Sequence, residues 1–183
     1  MISRHFKPLR PVALAALLSA CGGGAASNES GTAPNAATVA LGEQIKMLEA
    51  SGQLPKLDRS ADIRGPDNDN NSIRDDIDAW IAAQPISDEQ KRAARQSARV
   101  TQKQLLADLS NPSGLQSLAE ASAASVACLS SVFEPDYQKG LDLSAQIEAI
   151  TANTKARAKQ YIAYNRARSG SSGRLPSGDT CAP

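Results

Sequence analysis

The sequence has few aromatic residues, and after its first twenty residues it has no histidine. Only 3% of its 183 residues are Phe, Trp or Tyr, and the single histidine is His5. The scarcity of aromatic residues, with apolar positions filled mainly by Ala and Leu, argues against a large β-sandwich. If the first twenty residues are removed, the remaining chain has no histidine. This excludes catalytic mechanisms and metal sites that need histidine, including the Ser-His-Asp triad and His-ligated zinc or haem.

A strong net charge is also missing. The first twenty residues carry three cations and no acid, and the remainder carries 17 cations and 19 acids. We therefore expect no nucleic-acid partner. The chain also lacks a Gly-rich phosphate loop, a metal-ligating cysteine pair and a nucleophile elbow, so we expect a protein that is not an enzyme. A hydrolase using carboxylates such as Asp75, Asp76 and Asp78 is the catalytic alternative.

The amino-terminal segment has the order of a bacterial secretion signal. Residues 1–10 form a basic stretch, and the apolar stretch 12–18 that follows is too short to span a bilayer, which needs roughly 20 apolar residues. Next comes Leu18-Ser19-Ala20-Cys21. These four residues resemble the lipobox of bacterial lipoprotein precursors.

The lipobox resemblance implies a membrane anchor. In that family the chain is cut before the cysteine and the thiol is acylated, so residues 1–20 would be a signal peptide and Cys21 the lipidated residue. Gly22 follows Cys21 where many inner-membrane lipoproteins carry Asp. The resemblance therefore implies attachment to the outer membrane, facing the periplasm or the cell surface.

The rest of the chain divides into a tether and a helical domain. Residues 21–40 are mostly Gly, Ala, Ser and Asn without apolar periodicity, which predicts a flexible tether. Residues 41–183 predict an all-α domain, a small antiparallel bundle of about four to five helices with one irregular acidic loop. The predicted helices run from Leu41 to Gly52, from about Arg74 to Pro85, from Ser87 to Leu109, from Leu115 to Phe133 and from about Leu141 to Ser169.

Particular residues predict how these helices begin and which faces they bury. Ser87 and Gln90 have the spacing of a capping box. The expected buried face of the fourth helix is Leu115, Leu118, Ser122, Val126, Leu129 and Phe133. Residues 52–66 predict an irregular connecting segment, which we expect Leu54, Leu57 and Ile63 to hold against the core.

The acidic loop from Asp67 to Asp78 is the most informative segment after the signal. Counted from Asp67, oxygen-bearing side chains occur at positions 1, 3, 5, 9 and 12. Calcium takes six to eight oxygen ligands, and alternate residues of a tightly wound loop can direct them to one centre. Over about twelve residues the loop resembles those of EF-hands, dockerins and thrombospondin type 3 repeats. The ligands that this resemblance implies for a Ca²⁺ ion are the side chains of Asp67, Asp69, Asn71, Asp75 and Asp78 and the carbonyl of Ile73.

Two residues depart from the calcium-loop pattern. Ser72 stands where Gly normally supplies a left-handed turn, at a cost of roughly 1 to 2 kcal/mol. Asp78 replaces the longer final Glu, so weak binding is expected. The alternative is a solvated turn that caps the following helix without a metal. Five Asp residues opposed only by Arg74 favour the cation, because it would relieve their repulsion.

Two cysteines remain once Cys21 is assigned to lipid. In an oxidising periplasm Cys128 and Cys181 can close a disulfide, which would hold the tail against the bundle. The spacing places Cys128 away from the apolar stripe of its helix. One buried and one free thiol is the alternative.

A run of cations near the carboxyl terminus has two interpretations. It is either a surface for anionic lipid, polysaccharide or peptidoglycan, or a helix end whose dipole prefers cations. The run consists of Lys155, Arg157, Lys159, Arg166, Arg168 and Arg174. We expect a lipid-anchored envelope protein of structural or interaction type, with another envelope protein or an anionic envelope polymer as its partner. An envelope inhibitor or immunity-type protein is the alternative.

Overall fold

A computed structural model describes residues 36–173 and 176–182. These residues form six α-helices and no strand, so the predicted all-α class is confirmed. The helices are α1 (Ala36–Ala50), α2 (Asp75–Ala83), α3 (Asp88–Leu105), α4 (Pro112–Val132), α5 (Tyr137–Thr151) and α6 (Lys155–Arg168). The first helix begins before Leu41, inside the stretch expected to be tether.

Helix α3 is the centre of the bundle. It contacts α2, α4, α5 and α6, and α4 also packs on α5. The core where they meet contains apolar residues from four helices and one residue of the acidic loop, Ile73. Its other buried members are Ile77, Ile81, Ala93, Ala94, Ala98, Cys128, Leu129, Phe133, Leu143 and Ile147.

The start of α3 is as predicted, but its end is not. The hydroxyl of Ser87 accepts a hydrogen bond from the backbone N–H of Gln90, and the Gln90 side chain accepts one from the N–H of Ser87. The helix ends at Leu105, and Leu109 is 37% exposed. The Asp108 carboxylate accepts from the backbone N–H and the hydroxyl of Ser110, and such a local turn competes with a continuing helix.

Helix α4 buries only half of the predicted face. Leu115, Leu129 and Phe133 are buried as predicted. Leu118, Ser122 and Val126 are only partly buried, whereas Ser125 and Cys128 are buried in the interface. The expectation that Cys128 lies away from the core is therefore wrong. The physical reason is close packing against α5, where a Cβ on Gly140 would lie 2.5 Å from the carbonyl oxygen of Leu129. Such a crossing needs small residues on both helices.

The predicted last helix is two helices. Helix α5 ends at Thr151, and α6 starts after Thr154, whose hydroxyl accepts from the backbone N–H of Arg157 at 3.2 Å. Thr154 therefore acts as an N-cap and does not continue the apolar stripe. The hydroxyl of Thr151 donates to the carbonyl of Ile147 at 2.6 Å, which satisfies a buried polar group at the end of α5.

The tail is joined to the bundle by a disulfide and by one amide side chain. Cys128 of α4 is disulfide-bonded to Cys181, with their Cα atoms 4.9 Å apart. The side chain of Gln96 donates to the carbonyl of Thr180 at 2.9 Å and accepts from the N–H of Ala182 at 2.8 Å. The covalent link and the amide contacts thus hold the same short stretch of chain.

Candidate metal site

The acidic loop brings three carboxylates together at the start of α2. One oxygen from each of Asp67, Asp69 and Asp75 lies within 4.8 Å of the other two. The first two residues belong to the loop, and Asp75 is the first residue of α2. A cation held at about 2.3 to 2.6 Å from each oxygen can lie among them. The structure therefore shows a cluster that can hold a metal ion.

Two residues in the left-handed conformation wind the loop. Asn70 has a φ of 57° and Ser72 a φ of 66°, so Ser72 adopts the left-handed conformation that Gly would adopt without strain. The carboxylate of Asp67 holds this turn, because its two oxygens accept from the backbone N–H groups of Asn71 at 3.0 Å and Ser72 at 3.1 Å. The loop geometry therefore depends on Asp67.

Asn71 connects the carboxylates to the rest of the loop. Its Nδ2 donates to Asp69 Oδ2 at 2.8 Å and to Asp78 Oδ2 at 3.2 Å, and its Oδ1 accepts from the N–H of Ile73 at 2.7 Å. An amide oxygen has two lone pairs, so Oδ1 keeps one for a cation. The Ile73 side chain is buried in the core, which fixes the carboxyl-terminal half of the loop.

Asp78 is not one of the three clustered carboxylates. Its Oδ1 accepts a hydrogen bond from Nε of Arg95 on α3 at 2.6 Å, which forms an ion pair. This carboxylate already has a cationic partner that the spacing of the loop does not reveal. In the described structure the implied ligand set is therefore divided, with Asp67, Asp69 and Asp75 together and Asp78 facing α3.

A buried arginine attaches the loop to the bundle. Arg74 precedes α2 and is fully buried. It pairs with both carboxylate oxygens of Asp76, at 2.5 and 2.9 Å, and donates to the carbonyls of Ile150 at 3.1 Å and Thr151 at 3.3 Å. Those carbonyls belong to the last turn of α5, where the helix dipole is negative. The charge of Arg74 is thus satisfied by a carboxylate and by a helix terminus.

A second buried arginine, Arg157 of α6, holds the connecting segment. It donates to the carbonyl of Asp58 at 2.6 Å, to the carbonyl of Asp62 at 2.8 Å and to the carbonyl of Ile63 at 3.1 Å. It also pairs with the Asp58 carboxylate at 2.5 Å. The expected anchoring by apolar residues is wrong for Leu54, which is exposed. Polar contacts with Arg157 anchor this backbone, because it has no helix to satisfy its carbonyls.

Asp58 links the two arginine clusters. Its backbone N–H donates to Asp76 Oδ2 at 2.7 Å, while its carboxylate accepts from Arg157. Burial raises the pKa of Asp58, but hydrogen bonds from Arg157 and Ser60 outweigh that effect and lower the pKa below its ordinary value. Asp58 is therefore ionised at neutral pH and balances the buried guanidinium.

The structure also corrects the interpretation of the cationic run near the carboxyl terminus. Arg157 is completely buried and takes no part in any surface. Lys155, Lys159 and Arg166 are exposed on α6, and Arg174 lies outside the described residues. The run therefore contains one structural cation and several surface cations.

Comparison of the chain with protein-family models, with curated proteins and with solved structures finds no match. Among the described residues, no helix is long and apolar enough to cross a membrane. The predicted signal peptide, the lipobox-like residues Leu18 to Cys21 and the part of the predicted tether before Ala36 lie outside the described residues.

Proposed function

We propose that the chain is a lipid-anchored protein of the bacterial envelope, of structural or protein-interaction type, whose acidic loop binds one calcium ion. The observation that carries the ion proposal is the cluster of Asp67, Asp69 and Asp75. The lipobox-like residues that end in Cys21 support the anchor. The anchor would keep the helical domain at the membrane surface, where its loop meets extracytoplasmic calcium.

The donor atoms of the loop favour calcium over other metals. They are carboxylate and amide oxygens, which suit a hard cation, whereas zinc and copper sites usually include nitrogen or sulfur. Magnesium requires near-octahedral geometry at about 2.0 to 2.1 Å and loses its water reluctantly. Calcium accepts six to eight oxygens in irregular geometry, so a loop that presents three clustered carboxylates and an amide oxygen fits calcium better.

The expected affinity is low. Asp78 is paired with Arg95, and Ser72 pays for a left-handed turn that Gly would adopt freely. Both features reduce the ligand set or its stability, so we expect a dissociation constant in the range of extracellular modules, about 10⁻⁴ to 10⁻³ M. Because Arg74 and Ile73 fix the loop to the core, the ion would stabilise the fold and would not operate a switch.

The ion proposal is tested by thermal unfolding of the full-length chain in mild detergent, with a chelator or with calcium. A concentration about 100 times the dissociation constant should add roughly 2.7 kcal/mol to the free energy of unfolding. Asp67→Ala should abolish this response and Ser72→Gly should strengthen it. Asp142→Ala, which removes an exposed carboxylate on α5, is the matched control and should respond like the wild type.

The ion proposal fails if calcium at about 10 mM, roughly ten or more times the expected constant, leaves the melting temperature unchanged. An equal stabilisation by magnesium would also contradict it, because the loop would then act as a general cation site. An unchanged melting temperature would mean that the acidic segment is a solvated turn without a metal.

The anchor proposal is tested in cells through Cys21→Ser. This variant should lose labelled fatty acid and should no longer fractionate with the outer membrane, because the acylated thiol is gone. Ser19→Ala keeps a small residue in the lipobox and should be processed normally. Retention of label in Cys21→Ser would refute the assignment.

A further inference from the structure

The outer side of α1 carries large apolar side chains that are exposed. Leu41 is 57% exposed, Met47 is 64% exposed and Leu48 is 36% exposed. Leu54, which follows the helix, is 40% exposed, and its backbone N–H donates to the carbonyl of Leu48 at 3.1 Å, so it lies beside the end of α1. Of the eight large apolar side chains exposed in the described structure, four therefore belong to this short part of the chain.

The exposed apolar side chains of α1 share an arc of the helix without a charged residue. At about 100° per residue, an arc of about 120° contains Leu41, Gln44, Met47 and Leu48. The charged residues of the helix all lie outside this arc, and they are Glu43, Lys46 and Glu49. An uncharged arc of this width is the part of an amphipathic helix that is usually buried.

Helix α1 turns a charged residue toward the protein and this uncharged arc away from it. The Glu49 side chain is only 12% exposed, and its carboxylate accepts from Nη1 of Arg59 at 2.5 Å and from the N–H of Leu57 at 3.5 Å. The main helix contacts of the bundle are made by α2 to α6 and do not include α1. A helix at the surface of a soluble core normally has the opposite orientation, with its apolar side inward. An exposed apolar patch of this kind indicates an interaction surface.

The position of α1 in the chain indicates what covers this surface. Only residues 22–35 separate Cys21 from the first residue of the helix. A flexible linker of that length has a root-mean-square span of about 20 Å. An acyl anchor at Cys21 would therefore keep α1 close to the bilayer, at a high effective concentration. A second copy of the chain has no such advantage.

The charges of α1 do not oppose contact with a lipid surface. Lys46 pairs with Glu43 at 2.8 Å, and Glu49 pairs with Arg59. Each acid of the helix thus has a cationic partner, so the helix and its partners together carry no net charge. Binding would depend on burial of the apolar side chains and would not require anionic lipids.

We propose that the outer face of α1, formed by Leu41, Gln44, Met47 and Leu48 with Leu54 beside it, lies in the interface of the membrane to which the chain is anchored. The apolar side chains enter the boundary between headgroups and acyl chains, and the paired charges stay in water. This inference rests on the proposed function, because the anchor at Cys21 brings the helix to the bilayer. The second attachment fixes which side of the helical domain faces the membrane, which a tether alone leaves free.

The test places a nitroxide label on α1 in the full-length chain, purified from bacterial membranes and reconstituted in phosphatidylcholine vesicles. Gln44→Cys puts the label in the middle of the uncharged arc without removing an apolar side chain. Lys46→Cys, on the opposite side of the helix, is the matched control. Electron paramagnetic resonance then compares relaxation of each label by oxygen, which concentrates in lipid, and by a water-soluble nickel complex. Oxygen should relax the label at position 44 more strongly, and nickel the label at position 46.

A second set of variants tests whether the apolar side chains hold the helix in the interface. Leu41→Ser combined with Leu48→Ser should return the label at position 44 to water, whereas Ile162→Ser, which removes an exposed apolar side chain from α6, should have no effect. Circular dichroism reports whether each variant is folded.

Flotation of the vesicles separates failure of this inference from failure of the anchor. A chain that floats with the vesicles but keeps the label at position 44 in water overturns the inference and leaves the anchor intact. A chain that does not float contradicts the anchor and, with it, this inference. Protection from nickel that disappears when the protein-to-lipid ratio is lowered tenfold would also overturn it, because a second copy of the chain would then be covering α1.

Discussion

Gly65→Ala tests whether the two buried arginines support the fold as the structure indicates. Gly65 has a φ of +68°, and a Cβ at this position would overlap Cδ of Arg74. The same Cβ would lie 2.9 Å from Cγ of Arg74 and 3.0 Å from Nη2 of Arg157. Carbon atoms in good contact are about 3.5 to 4.0 Å apart, so both arginine side chains would have to move.

The expected cost has two parts. Placing a residue with a Cβ in the left-handed conformation costs about 1 to 2 kcal/mol. Overfilling a packed site adds about 1 to 3 kcal/mol. The stem of Arg74 has little freedom to yield, because its guanidinium is held by Asp76 and by the end of α5. We therefore expect a total loss of about 2 to 5 kcal/mol.

Gly52→Ala is the matched control. Gly52 has a φ of +74°, and a Cβ there would meet no atom within 4 Å, so this variant carries only the conformational cost of about 1 to 2 kcal/mol. Urea denaturation of both variants measures the difference, and each kcal/mol should also lower the melting temperature by about 2 to 4 °C. Equal losses of stability in the two variants would refute the reasoning, because the arginines would then yield without cost.

A non-reducing peptide map should show Cys128 linked to Cys181, and loss of this bond should cost about 2 to 4 kcal/mol, whereas two freely alkylated thiols would contradict it. Hydrogen bonds from Arg157 lower the pKa of Asp58 in the folded protein. The stability that Asp58 contributes is therefore present above about pH 4 and is lost as the pH falls through its folded pKa. In Asp58→Asn, the free energy of unfolding measured with urea should depend less on pH in this acidic range. Burial, reinforced by a nearby carboxylate, raises the pKa of Tyr161 to about 12, and ultraviolet titration of tyrosinate should show it. The pKa of Tyr161 in the unfolded chain is about 10, so the stability that this residue contributes is complete below pH 10 and is lost as the pH rises to about 12. Titration of Tyr161 near pH 10 in the folded protein would contradict the raised pKa.

Features encoded by neighbouring residues can be predicted from the sequence. The capping box of Ser87 and Gln90 needs only residues three positions apart, and the structure confirms it. The break between α5 and α6 is harder, because Thr154 fits both an apolar stripe and an N-cap. Packing of the bundle decides between these local alternatives, and the stripe alone favours the wrong one.

In the candidate metal site, too, the local features can be predicted from the sequence and the long-range contacts cannot. The gathering of Asp67, Asp69 and Asp75 follows from spacing within one loop, and the structure shows it. The buried arginines do not follow from local sequence, because Arg74 reaches a carbonyl 77 residues away and Arg157 contacts a residue 99 positions before it. From local sequence alone an arginine is predicted to lie on the surface, because the distant residues that pair with it when it is buried are not identified.

The contacts of Gln96 with the tail affect how the protein responds to reducing agents. Because this amide holds Thr180 and Ala182 by two hydrogen bonds, we expect the residue between them to remain near α4 when its sulfur–sulfur bond is cut. The two thiols would then remain at high effective concentration. We expect re-oxidation within the molecule to be faster than mixed-disulfide formation with other chains. After a transient loss of oxidising conditions, the same Cys128–Cys181 bond should therefore form again.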